Sequence, residues 1–370
     1  MKKILFYLLI GTSFLTQSCI SANEDPVPVI PSEGVAVKPP VDGSAQPNQV
    51  WIDLSDIVDE NTGQPRQTVN NRTNWDLAFY SGNEFKVVLN TSIMMAAAKI
   101  PGITDIEKVK ESDVASLKGD VQVADFNPDN VKYIDDVKGN FPSGATAIAE
   151  IKAEPSENAV YLVNLGKEIY TGAIAAGSAI TGGEDRGWMK VQIMRQGDGY
   201  KVRYGELNAL KEGIKEIEIK KDKAYNYTFF SLKEGQQVAI QPEKNKWDIC
   251  FTVFTNIIPS VGSYVNADFV MTNNIGNVGA YEVKVPAGTV MVDTFNKFKK
   301  ENVDDSKFVY NDHRVIGGNW REVGPGGSKV YGDIFYIIKD AAGTYYKLRF
   351  VSIVDEKGER GHPTFMYKAL

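Results

Sequence analysis

The sequence predicts a mostly β protein built from two tandem antiparallel domains with a few short helices. Short apolar runs alternate with polar residues and are bounded by Gly, Asn, Asp and Pro, as in residues 85–89 (FKVVL) and 346–350 (YKLRF). Such alternation is typical of strands that are buried on one face. Two motifs that recur in the same order indicate that the β-rich part is present twice.

The chain begins with the features of an exported protein. Lys2 and Lys3 precede an apolar stretch over residues 4–15, which is too short to span a bilayer as a helix, and Cys19 follows soon after. This order predicts a lipoprotein signal peptide over residues 1–18 and acylation of the Cys19 thiol, which would anchor the protein to the membrane. The alternative is a soluble secreted protein with an incidental cysteine, because Gln17 stands where a small residue is usual.

Residues 19–48 are predicted to be a stalk between the lipid anchor and the folded part. This segment contains six prolines, which favour a semi-extended spacer over a packed element.

The few cysteines and the net charge limit the possible functions. With Cys19 acylated, Cys250 is the only thiol left, so no internal disulfide forms, and its place in a predicted strand favours a small buried side chain. A net charge of −6 argues against nucleic acid as a partner.

The internal repeat divides the mature chain into domain 1 at residues 49–222 and domain 2 at residues 223–370. Residues 75–79 (WDLAF) recur as 247–251 (WDICF), and residues 199–204 (GYKVRY) match 345–350 (YYKLRF). We expect the tryptophans to be core anchors and each aspartate to accept a hydrogen bond from a turn amide.

Local signals add turns and helices to this frame. Glycines at residues 197–199 and 342–343 predict hairpin turns. The spacing of apolar residues predicts short helices over 92–99, 106–117 and 292–300.

Several segments resemble the HmuY-like family, which comprises haem-binding surface lipoproteins of Bacteroides-type bacteria. The resembling segments are residues 74–78 (NWDLA), 86–90 (KVVLN), 276–280 (GNVGA) and the C-terminal run 318–350. Acidic residues just after Cys19 also resemble the surface-export signal of such lipoproteins. The resemblance implies a β domain that holds haem between two axial ligands and passes it to a TonB-dependent receptor for iron acquisition, with the protein exposed on the outer membrane.

The sequence departs from that family where the haem ligands are expected. Val323, directly before a Gly-Pro turn, stands where haem-binding members carry an axial histidine. The other axial position falls near Met291, whose thioether is an acceptable haem ligand. In the first copy the corresponding tryptophan is missing, and residues 175–178 read AAGS.

Two further groups of residues are candidate ligands. His313 is a candidate haem or metal ligand, the alternative being an exposed loop histidine. The oxygens of Asp125, Asn127, Asp129 and Asp136 have the spacing of a calcium loop, although Pro128 is unusual there and no helices flank it, so a solvated turn is the alternative.

The sequence motifs of catalysis are not assembled in this chain, which contains neither a Gly-x-Ser-x-Gly elbow nor a phosphate loop. We therefore predict a surface binding protein whose ligand is haem, rather than an enzyme. The alternatives are a recognition module for protein or glycan that has lost haem binding and, third, an exported hydrolase.

Overall fold

The computed structural model describes residues 34–324 and 327–370 and confirms a mostly β, antiparallel fold. The signal peptide and Cys19 lie outside the described residues, so both stay predictions. The first ten strands are β1 Val35–Val37, β2 Asn48–Asp59, β3 Gln64–Asn71, β4 Leu77–Tyr80, β5 Val87–Leu89, β6 Ala96–Lys99, β7 Val160–Asn164, β8 Trp188–Gln196, β9 Gly199–Glu206 and β10 Lys215–Ile219. The other ten are β11 Tyr227–Ser231, β12 Gln236–Val238, β13 Ile249–Ile258, β14 Gly262–Thr272, β15 Gly279–Lys284, β16 Arg321–Gly324, β17 Gly327–Val330, β18 Ile334–Lys339, β19 Tyr345–Val354 and β20 Arg360–Ala369.

The helices are short and lie between strands. The α-helices are α1 Glu111–Val114, α2 Leu117–Asp120 and α3 Met291–Lys297. Seven 3-10 turns cover Thr91–Ile93, Ile106–Lys108, Pro128–Tyr133, Pro155–Glu157, Lys211–Gly213, Lys300–Asn302 and Asp305–Lys307. No helix among the described residues is long and apolar enough to cross a bilayer.

The strands form two units, each with one five-stranded and one four-stranded sheet around its own core. The first unit has the sheets β10-β9-β8-β7-β6 and β12-β11-β4-β5, and its core residues all lie between Leu77 and Leu232. The second unit has the sheets β1-β20-β19-β18-β15 and β14-β13-β2-β3, and its core combines residues 35–54 with residues 249–367.

The two sequence copies exchange their N-terminal strands. β2, which precedes the first WDxxF motif, pairs with β13 of the second copy, while β11, which precedes the second motif, pairs with β4 of the first. β1, which precedes β2, likewise pairs with β20 of the second copy, while β10 pairs with its neighbour β9 near the end of the first copy. The first unit is continuous from β4 to β12, whereas the second unit is assembled from both ends of the chain.

Because of the exchange, the predicted stalk over residues 19–48 is wrong for its described part. Val35, Val37 and Val41 are buried in the core of the second unit, so residues 34–48 are packed rather than free. They pack because β1 supplies the edge strand next to β20.

The first repeated motif is equivalent in the two units, but the second was matched wrongly. β9 (GYKVRY) is the second strand of its five-stranded sheet, next to the edge strand β10. β19 (YYKLRF) is the central strand of the other five-stranded sheet and therefore corresponds to the central strand β8. By this equivalence Lys190 of the first unit corresponds to Lys347 of the second unit. Both lysines are buried, and each ammonium donates to backbone carbonyls.

The hairpin turns are confirmed, and the helix predictions are only partly right. β8–β9 and β18–β19 close around the expected glycines. Residues 92–99 do not form a helix, because Met94 takes a left-handed conformation (φ 65°) and the following alanines enter β6. The helix expected over residues 292–300 is α3, and the segment 106–117 breaks into a 3-10 turn and α1.

Candidate ligand-binding site

Met291 is the first residue of α3 and packs half-buried against an aromatic cluster. The cluster includes Tyr281, Phe295 and Phe335, beside the sheet of the second unit. The Met291 thioether thus contributes to a local apolar core.

Val323 lies on β16 with 43% of its surface exposed. The tryptophan before it, Trp320, is buried, stacks on Phe350 at 4.1 Å between ring centroids, and donates from Nε1 to the Asp268 carbonyl at 3.1 Å. The strand is therefore firmly held, but the side chain at the expected axial position is a hydrocarbon.

His313 is buried, so the alternative of an exposed loop histidine is wrong. Its Nε2 lies 3.0 Å from the Val137 carbonyl oxygen, and its ring meets Phe254 edge-on at 5.1 Å. A Cβ at Gly139 would collide with Nδ1, so both ring nitrogens face protein atoms. Burial lowers the pKa of His313 to about 4, so the neutral ring donates from Nε2 to the carbonyl at pH 7.

These three positions do not fit a haem held between two protein ligands. Val323 offers no donor atom, the imidazole of His313 is already engaged, and Met291 belongs to a separate cluster. Coordination by His313 would require breaking its bond to Val137 and moving the backbone at Gly139.

Three of the four calcium-loop candidates accept hydrogen bonds in local turns. Asn127 caps the 3-10 turn Pro128–Tyr133 by accepting from the Asp129 amide, and Asp125 accepts from Asn130. Asp136 accepts from the Lys138 amide. Within residues 34–324 and 327–370, the one group of three or more acidic, histidine or cysteine ligands that converge is Asp355, Glu359 and His362, in the β19–β20 turn.

A cavity of about 80 Å³ lies between the two units, where the two four-stranded sheets face each other. Seven aromatic residues line it beside several polar ones: Trp51, Trp75, Phe141, Tyr227, Phe229, Trp247 and Phe254. Because Trp51 and Phe229 come from the exchanged strands β2 and β11, both sequence copies contribute to each wall.

The walls follow the approximate symmetry of the repeat. Trp51 pairs in register with Cys250, and Phe229 pairs with Ala78 in the equivalent place. Trp51 meets Trp247 edge-on at 4.8 Å between ring centroids, and Phe229 meets Trp75 in the same way at 4.9 Å.

Hydrogen bonding breaks this symmetry. Trp75 Nε1 donates to Gln49 Oε1 at 2.9 Å, whereas the equivalent Trp247 Nε1 is buried without a partner. Gln241 Oε1 and Thr272 Oγ1, which also line the cavity, are buried and unpaired as well. Three unpaired polar atoms at one cavity form an exception to the usual pairing of buried polar groups.

The aspartates of the repeated motif differ in their partners. Asp76 forms a buried ion pair with Arg186 at 2.6 Å and accepts from the Leu232 amide. Asp248 accepts from the equivalent Leu54 amide at 2.8 Å, and within the described residues it has no ion pair. Burial raises the pKa of Asp248 to about 7. Asp76 thus accepts from a turn amide, as expected, in the turn that follows β11, whereas Asp248 accepts from an amide within the exchanged strand β2.

The sequence could not reveal this cavity as a site. Its tryptophans were expected to be core anchors, and their low exposure (6% for Trp75, 5% for Trp247) confirms that they are buried. That they enclose a space between the units depends on the strand exchange, for which the sequence carries no signal.

A β fold that encloses an apolar cavity with a few polar groups is typical of a ligand-binding protein. The chain belongs to the HmuY family: the family model described as HmuY protein matches residues 45–216 and 223–367, in agreement with a tandem form. This is a family of binding proteins rather than enzymes.

A solved structure, that of apo PinO from Porphyromonas gingivitis, is 14% identical over an alignment that covers 44% of this chain and 87% of that chain. The TM-score is 0.16, which carries no argument about shared geometry. No curated protein matches the chain.

Proposed function

We propose that this protein is a lipid-anchored binding protein on the surface of the outer membrane, which captures its ligand in the cavity between the two units. In this proposal the ligand is not haem held between two axial side chains. The proposal includes transfer of the ligand to a TonB-dependent receptor, which is based on the family. It also includes a lipid anchor, which is based on Cys19.

The observation that carries the proposal is the aromatic cavity with its three unpaired polar atoms. Aromatic walls supply affinity through burial of apolar surface, and a few polar groups fix the orientation of a ligand. The second observation is the exposed, donor-free side chain of Val323 at the family's axial position.

A haemin titration of purified residues 20–370 tests the proposal. We expect the absorbance to rise linearly without a shift of the Soret band, because Val323, Met291 and His313 are not placed to ligate one iron from both sides. The matched variant Met291→Ala should give the same trace. A saturable, red-shifted Soret band that weakens in Met291→Ala would overturn the proposal in favour of a haemophore with methionine ligation.

A further inference from the structure

We propose that the cavity between the two units binds a small, flat, uncharged aromatic molecule that carries both a hydrogen-bond acceptor and a hydrogen-bond donor. This inference rests on the proposed function of a binding protein and names the chemical class of its ligand.

The size of the cavity sets the size of the ligand. Its volume of about 80 Å³ corresponds to about five to eight water molecules at roughly 10–15 Å³ each. That lies below the roughly 300–1,000 Å³ of pockets for drug-sized ligands and cofactors. A single-ring molecule of up to about eight non-hydrogen atoms fits this space, whereas a fused two-ring system or a porphyrin does not.

The chemistry of the walls favours an aromatic ligand. Trp51 and Trp247 pack edge to face at 83°, and Trp75 and Phe229 at 85°, and both pairs line the cavity. Aromatic rings prefer such edge-to-face and offset arrangements.

The unpaired indole of Trp247 requires an acceptor on the ligand. Indole N–H is a donor only, and an unmade hydrogen bond at a buried donor costs about 1–3 kcal/mol. The equivalent indole of Trp75 already donates to Gln49, so the demand for an acceptor exists on one side of the cavity only.

The unpaired carbonyl of Gln241 requires a donor. Gln241 Oε1 is an acceptor and is buried without a partner, while Thr272 Oγ1, also unpaired, serves as either donor or acceptor. A ligand with one acceptor and one donor therefore satisfies groups that the protein leaves unpaired.

The charges at the cavity favour a neutral ligand. Neither lysine nor arginine lines it, Asp136 is its one charged lining residue, and His313 is neutral at pH 7. A carboxylate would meet the like charge of Asp136 without a cation to pair with, and an unpaired buried charge is costly.

Isothermal titration calorimetry of residues 20–370 with pyridin-4-one tests the inference. This probe has one ring, a carbonyl acceptor and an N–H donor. We expect saturable binding with a stoichiometry of one. Pyrrole, which has the donor but no acceptor, should bind about tenfold more weakly, since it loses one hydrogen bond.

Three matched substitutions locate the site. Trp247→Phe keeps a ring but removes the free N–H, and should weaken the binding of pyridin-4-one about tenfold. Trp75→Phe should weaken it less, because that N–H is already paired. Trp188→Phe, on β8 outside the cavity, should leave the affinity unchanged.

A thermal melt of each variant shows that it is folded, and in the absence of ligand Trp247→Phe should not be less stable than Trp75→Phe. Equal losses in Trp247→Phe and Trp188→Phe, or no saturable heat with the folded protein, would overturn the inference. If the inference fails in this way while haemin gives no Soret shift, only the proposed ligand class is wrong and the proposed function is retained. A Soret shift that weakens in Met291→Ala overturns the proposed function itself.

Discussion

At the scale of single residues, the two copies keep the same motif but place it in different electrostatic surroundings. Asp76 and Asp248 both accept from a backbone amide of the other sequence copy, yet only Asp76 has a buried arginine beside it. An unpaired buried carboxylate favours its protonated form. Burial therefore raises the pKa of Asp248 in the second unit, whereas Asp76 in the first unit has the Arg186 guanidinium beside it.

We predict that Asp248→Asn changes the pH dependence of stability. The pKa of Asp248 is raised to about 7, so the folded state binds more protons than the unfolded state from about pH 4 to 7, and stability falls as the pH rises through this window. Asparagine keeps the acceptor for Leu54 and never ionises. The variant should match the wild type near pH 4 and exceed it at pH 8 by on the order of 2 kcal/mol.

Urea unfolding at both pH values measures this difference. The control is Asp76→Asn, which leaves Arg186 buried without its counter-ion and should lose about 3–5 kcal/mol at pH 8. If Asp248→Asn proved less stable than the wild type at pH 8, the carboxylate would have to be ionised and stabilised in the folded protein.

At the scale of elements, the strand exchange decides which pieces of the chain complete a core. Phe230 and Leu232 belong to the second sequence copy but lie in the core of the first unit, while Val50 and Ile52 belong to the first copy but lie in the core of the second unit. A contiguous stretch from β4 to β12 therefore contains a complete unit.

We predict that residues 72–239 fold alone, whereas the sequence-defined domain 49–222 does not. The first fragment keeps both sheets and the Asp76–Arg186 pair. The second lacks β11 and β12 and carries β2 and β3 without their partner β13. Amide NMR spectra of the two fragments provide the measurement. A dispersed spectrum from 49–222 beside a collapsed one from 72–239 would contradict the exchanged pairing.

Local patterns identified strands and hairpins because alternation and glycine turns act over few residues. They failed at residues 92–99, where an alanine run reads as helix but Met94 turns the chain into β6. The exchange was not predictable, because β2 and β11 precede equivalent motifs and either pairing buries similar side chains. His313 was misjudged for a related reason: its polar neighbours are local, while Val137 and Gly139, which bury it, are distant in sequence.

At the scale of the whole molecule, the exchange joins the two units across one apolar interface. Trp51 and Phe229 cross from one copy to the other and bring Trp247 and Trp75 to the same cavity. The candidate site therefore exists only in the tandem arrangement, since one copy alone supplies half of its walls. The family's axial positions, by contrast, belong to the second copy and lack a pair of free ligand atoms.

The most direct test of the ligand site is an NMR titration of residues 20–370 with 13C-methyl-labelled methionine. Met271 lines the cavity between the units, and Met291 occupies the axial position expected from the family, so the two methyl groups report on the two rival sites. Met271→Leu and Met291→Leu assign the signals. The account predicts that pyridin-4-one shifts the Met271 methyl signal and leaves the Met291 signal in place, while haemin moves neither. A Met291 signal that shifts or broadens with haemin, beside an unmoved Met271, would contradict it.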